Sequence, residues 1–76
     1  MNKTRRGRLE KLVSHLEDIK SQIETILEQE QEAFDNIPEN LQDGEKGEKS
    51  QNAISSIESA IQSIDETITS LNESIE

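Results

Sequence analysis

Apolar side chains recur along the first half of this chain at alternating steps of three and four residues, through Leu9, Leu12, Leu16, Ile19, Ile23 and Ile26. The rhythm goes on through Glu30, Ala33 and Ile37. A second run, Ile54, Ile57, Ile61, Ile64, Ile68, Leu71 and Ile75, keeps it without a break. Such spacing stays close to one helical turn, so each run draws one stripe along an α-helix, and a stripe of a and d heptad positions is the seam of a coiled coil. The pattern predicts an all-α fold, an antiparallel two-helix coiled-coil hairpin in a single domain.

The link lies where the rhythm stops. Asp35 to Ser50 holds the only proline and two of the three glycines. Pro38 disfavours helical geometry at Ile37 and brings no amide hydrogen, while Asn36 followed by Glu39 would cap one short turn through Leu41. The doubled Gly-Glu-Lys of 44–49 reads as a flexible link. Helix 1 is therefore expected over about residues 3–35, a loop with a short turn over about 36–49, and helix 2 over about 50–75. Helices of ~33 and ~27 residues would be roughly 50 and 40 Å long. Matching seam to seam sets Leu12 opposite Ile75, Leu16 opposite Leu71, Ile19 opposite Ile68, Ile23 opposite Ile64 and Ile26 opposite Ile61.

Helix 1 carries more apolar surface than one seam uses. Val13, Leu27 and Phe34 occupy its e column, interrupted by Lys20. The facing e column of helix 2 reads Glu58, Asp65 and Asn72, which suits Lys20 but not Leu27. The g column of helix 2 is small, with Ala53, Ala60, Thr67 and Ser74, and lets another helix approach closely. A wide face and a small-residue groove together predict a homodimer of hairpins, a four-helix bundle, with Val13, Leu27, Phe34, Ala53 and Ala60 at the oligomer interface. The serines and threonines elsewhere on helix 2 read as a solvated face.

Composition sharpens this picture. With 29% apolar residues and Phe34 as the one aromatic, 76 residues build a small core, and self-association is the expected remedy. No cysteine is present, so disulfides and thiolate metal sites are excluded, and the lone His15, on a flank of the seam, builds no multi-histidine site. No run approaches the ~20 apolar residues of a membrane span, and the N-terminus lacks the apolar stretch of a signal peptide, so a soluble cytoplasmic protein without a membrane partner is expected.

Charge is uneven. Lys3, Arg5, Arg6, Arg8 and Lys11 against Glu10 give residues 1–11 a net +4, which leaves −13 of the total −9 on residues 12–76. An acidic body repels phosphate, which argues against direct nucleic-acid binding. Arg5, Arg6 and Arg8 sit at a helix start, where the macrodipole disfavours positive charge, so anchoring to acidic groups of a neighbouring subunit or a partner is their sharper reading and a frayed, solvated terminus the duller one.

The most distinctive stretch is Glu28 to Glu39, with five carboxylates, the sole aromatic and the sole proline. Glu30 falls on an a position of the seam, where a charge must be paired, exposed or put to use. Candidate partner-binding residues are Glu30, Phe34, Asp35, Asn36, Pro38 and Glu39, with Arg5, Arg6 and Arg8 at the other end. Glu28 and Glu32 stand one turn apart, yet no histidine or apolar pocket beside them would tune a carboxylate for acid–base work, and no nucleophile triad is in sight. No metal, cofactor or enzymatic role is expected, since Asp43 to Glu48 also lacks an EF-hand ligand order.

The run EQEAFDNIPENLQ followed by GEKGEK, set between two Ile and Leu heptad segments, resembles short uncharacterised bacteriophage proteins with a helical hairpin. The resemblance implies a small phage accessory protein acting on a host protein, such as a defence factor, in the host cytoplasm. The leading functional expectation is thus a non-enzymatic oligomeric helical adaptor or inhibitor. Its alternatives are an acidic mimic of nucleic acid, a structural coiled-coil spacer, and an oligomer gathering Arg5, Arg6 and Arg8 to sequester a small anionic nucleotide.

Overall fold

The computed structural model describes residues 1–76 as two helices, α1 (Lys3–Asp35) and α2 (Glu45–Ile75), joined by a 3-10 turn at Glu39–Leu41. They fold back on each other into a hairpin measuring 58 × 15 × 13 Å over its Cα atoms, a rod two helices wide. Neither helix is long and apolar enough to cross a membrane.

Local chemistry sets the helix ends. Asn2 caps α1, its side-chain oxygen accepting the Arg5 amide at 2.9 Å and so satisfying one of the first-turn donors that have no partner inside the helix. At the other end the Asn36 amide still reaches the Glu32 carbonyl, and Pro38 prevents continuation. Gln42 then donates from Nε2 to the carbonyls of Ile37, at 3.1 Å, and Phe34, at 3.5 Å, the latter also accepting the Ile37 amide at 3.0 Å. The short turn sits where expected, but its cap position is Pro38 with no side-chain bond, so Asn36 ends α1 rather than starting the turn.

The loop is shorter than the sequence suggests, because α2 begins at Glu45 instead of near residue 50. Gly44 takes the cap position in extended geometry, and Glu45 and Glu48 place negative charge in the first turn, where the helix dipole favours it. From Glu45 on the Gly-Glu-Lys repeat is therefore helix, and Gly47 serves close approach. A Cβ on Gly47 would lie 1.8 Å from the Gln42 carbonyl oxygen, so only glycine lets the loop backbone lie against the helix there.

The seam on α2 is the expected one, with Ile54, Ile57, Ile61, Ile64, Ile68, Leu71 and Ile75 all turned partly out of solvent. On α1 the seam differs. The residues withdrawn from solvent are Leu9, Val13, Leu16, Lys20, Ile23, Leu27, Glu30, Phe34 and Ile37, which are the a and e columns. Leu12, Ile19 and Ile26, expected opposite Ile75, Ile68 and Ile61, stay 51%, 46% and 54% exposed. The helix is thus turned by roughly 50° from the expected a and d seam, at about 100° per residue. Both choices keep the three-four rhythm. The a and e choice covers Val13, Leu27 and Phe34, and it keeps Lys20 beside Asp65.

Of the residues assigned to a contact between hairpins, the hairpin itself buries one. Val13 is 7% exposed and belongs to the small core inside one hairpin with Ile37, at 9%, and Leu27 and Phe34 are half-covered within the same hairpin. Ala53 is half-buried, and only Ala60 of these residues stands in solvent.

Gly7 is the one glycine without a packing role, for a Cβ there meets nothing within 4 Å. Gly7→Ala is expected to raise stability by about 0.5–1 kcal/mol through helix propensity alone, as a rise in the urea midpoint at unchanged slope.

Candidate interaction surfaces

The polar groups inside the hairpin fix how the helices meet. Lys20 Nζ lies 2.7 Å from Asp65 Oδ1, joining the two e columns as the sequence expects. That hydrogen bond raises the Lys20 ammonium above its ordinary value of 10.5, against a smaller opposing effect of desolvation. Nearer the loop, Ser50 Oγ donates to Glu30 Oε1 at 2.8 Å. Ser50 is buried, at 8% exposure, and Glu30 half-buried, so of the three ways to keep a charge on the seam the structure uses pairing.

The loop end does not gather the candidate residues into one site. Glu30 is bonded to Ser50, and Phe34 is half-buried. Asp35 is exposed and accepts from Gln31 Nε2 at 3.1 Å on its own helix. Asn36 and Pro38 do come together, with Ala33, Ile37, Leu41 and Lys46, around a shallow groove of about 410 Å³. Glu39 is exposed in the 3-10 turn and stands outside the lining of that groove. Leu41, 55% exposed at this groove, is the functional candidate that heptad reasoning misses, because it is an apolar residue outside both helical runs. On the opposite flank Glu28, Glu32, Asp35 and Glu58 rim a second open groove, of about 400 Å³, floored by Leu27.

At the far end Arg5, Arg6 and Arg8 are exposed. None pairs with a carboxylate; Arg6 donates from Nη2 to the Met1 carbonyl at 3.0 Å. The basic tip is therefore free to meet an acidic group elsewhere.

The broadest surface is a flank. Ala33 and Lys46 line common grooves, which puts the d column of α1 and the g column of α2 on one side of the rod. Lys20 with Asp65, and Leu27 with Glu58, mark the other side. The first side carries Leu12, Ile19, Ile26 and Ala33 next to Ala53, Ala60, Thr67 and Ser74. Beyond them run His15, Gln22 and Gln29 on α1 and Ser56, Ser63 and Ser70 on α2. Of the chain's 17 Asp and Glu residues, none falls in these columns. A carboxylate-free apolar flank on so acidic a chain is a selective distribution of charge.

No family model, curated protein or solved structure matches the chain.

Proposed function

We propose that this chain is a non-enzymatic helical protein that self-associates into a four-helix bundle and binds a partner protein with its loop end. The observation that supports this reading is the placement of its large apolar side chains. Leu12, Ile19, Ile26 and Leu41 lie in solvent while only Val13 and Ile37 are buried. Leaving such residues exposed on so small a core favours burial against other molecules. Open grooves rimmed by exposed side chains suit docking, whereas a reaction site needs an enclosed pocket with tuned acid and base groups. The resemblance to phage hairpin proteins makes a host protein, in the host cytoplasm, the partner class to test first.

The decisive measurement is capture from host lysate on immobilised protein, comparing wild type with Leu41→Asp. Leu41 lies outside the core, so circular dichroism of the variant should match wild type. Wild type is expected to retain a specific host protein, and the variant to lose it by at least about tenfold, the effect of ~1.4 kcal/mol at a docking contact. Equal capture by both proteins, or none by either, would sink the loop-end reading.

Nucleic-acid mimicry is the second reading, favoured by the net −13 of residues 12–76 standing off the apolar flank. It requires that the captured partner be displaced by nucleic acid and released by moderate salt. Capture that survives high salt excludes it.

A further inference from the structure

We propose that the flank formed by the d column of α1 and the g column of α2 is covered by a second copy of this chain, laid antiparallel about a two-fold axis perpendicular to the helices. The inference rests on the self-association proposed above and gives it a surface and a geometry.

The flank is its own complement. In an isologous contact residue i meets j and j meets i. Centring the bulky stripe on itself sets Ile19 of one copy against Ile26 of the other, with α1 over α1. The same operation lays α2 over α2, where Ala60 meets Thr67 of the second copy and the small side chains permit approach toward the lower end of the usual ~8–10 Å helix spacing. Each layer then holds two large and two small residues, the alternation that fills a bundle core.

Charge selects the antiparallel arrangement. Residues 28–49 carry eight carboxylates and two lysines, a net −6, whereas residues 1–11 carry a net +4. An antiparallel pair brings each basic tip beside the other copy's acidic loop end, and Arg5 and Arg8 lie in the columns of the flank itself. A parallel pair would stack −6 on −6. The absence of carboxylates from the flank removes the repulsion that two chains of net −9 would otherwise meet at close range.

Size agrees. A rod 58 Å long and 15 Å wide offers on the order of 800 Å² on one flank, which is what each partner contributes to a stable interface.

Sedimentation equilibrium of the full chain tests this, with circular dichroism to follow folding. Wild type is expected to be a dimer at micromolar concentration. Ile19→Glu and, separately, Ala60→Leu should each raise the dimer dissociation constant at least about tenfold. Ala60 is exposed in the hairpin and leucine is a good helix former, so that variant keeps the test clear of simple unfolding. Gln22→Cys, the sole thiol of an otherwise cysteine-free chain, lies beside the proposed axis and should oxidise to a disulfide-linked dimer. A monomer at high micromolar concentration overturns the proposal, as does a dimer that both substitutions leave intact. A dimer in which Gln22→Cys does not cross-link overturns the antiparallel arrangement. If the chain is monomeric and still captures its host protein through Leu41, this inference falls while the partner-binding function stands; a dimer that captures nothing gives the reverse.

Discussion

Gly47→Ala is expected to destabilise the hairpin by about 2–3 kcal/mol, even though the same change at Gly7 stabilises it. Both glycines lie inside helices, so propensity alone favours alanine at each by up to ~1 kcal/mol. What separates them is the neighbour. At Gly7 an added methyl enters open space, but at Gly47 it would stand 1.8 Å from the Gln42 carbonyl oxygen and 2.5 Å from its carbon. Those are backbone atoms, which no rotamer change can move aside. Relief requires the loop to lift off α2, and Gln42 would then lose its bonds to the ends of α1 at Ile37 and Phe34. Urea denaturation of both variants at one protein concentration is the check, since association makes apparent stability depend on concentration. If Gly47→Ala is as stable as Gly7→Ala, the docking of the loop on α2 contributes nothing to the fold.

That contrast also shows where the sequence is legible and where it is not. The extent of α1 follows from spacing, and so does the seam of α2, because no large apolar residue of α2 lies outside its one stripe. The early start of α2 does not. Glycine beside charged residues reads as a flexible link from composition, and its actual use, close approach to Gln42, involves a loop whose path only the fold defines. The facing side of α1 was open for a related reason. Its a column is flanked by apolar residues on both sides, Leu12, Ile19 and Ile26 on one and Val13, Leu27 and Phe34 on the other, so periodicity permits two rotations. The structure takes the one in which the polar members of the seam find partners on the distant helix, Asp65 for Lys20 and Ser50 for Glu30. Pairings across the hairpin are set by three-dimensional register, which heptad spacing specifies only in multiples of seven.

The candidate site follows the same logic. Asn36 and Pro38 are found together because a proline that ends a helix must sit at the turn. Phe34 is half-covered by the hairpin, as suits the one aromatic of a core-poor chain. Leu41 goes unnoticed in the sequence because it belongs to no periodic run, yet it is among the most exposed of the large apolar side chains.

The bond between Ser50 and Glu30 leads to the second large effect. Ser50→Ala is expected to cost about 1–2 kcal/mol, because it leaves a half-buried carboxylate on the seam without its donor. Replacing both partners should reverse the sign. In Glu30→Leu with Ser50→Ala the seam becomes apolar through its loop end, no charge is withdrawn from water, and stability should equal or exceed that of wild type. A double-mutant cycle by urea denaturation, at one protein concentration, measures the coupling directly, and it should be well outside the ~0.5 kcal/mol scatter of independent sites. If Ser50→Ala unfolds like wild type, the 2.8 Å bond is an incidental surface contact and Glu30 is held by water. The stabilised double variant also tests why a charge is kept on the seam at all. With Glu30 and Ser50 replaced, no side-chain polar pair between the two helices remains near the loop to distinguish one heptad register from the next, so Lys20→Cys paired with Asp65→Cys should cross-link less completely than in the otherwise wild-type chain. Undiminished cross-linking would mean that the docked loop and Gly47 set the register by themselves.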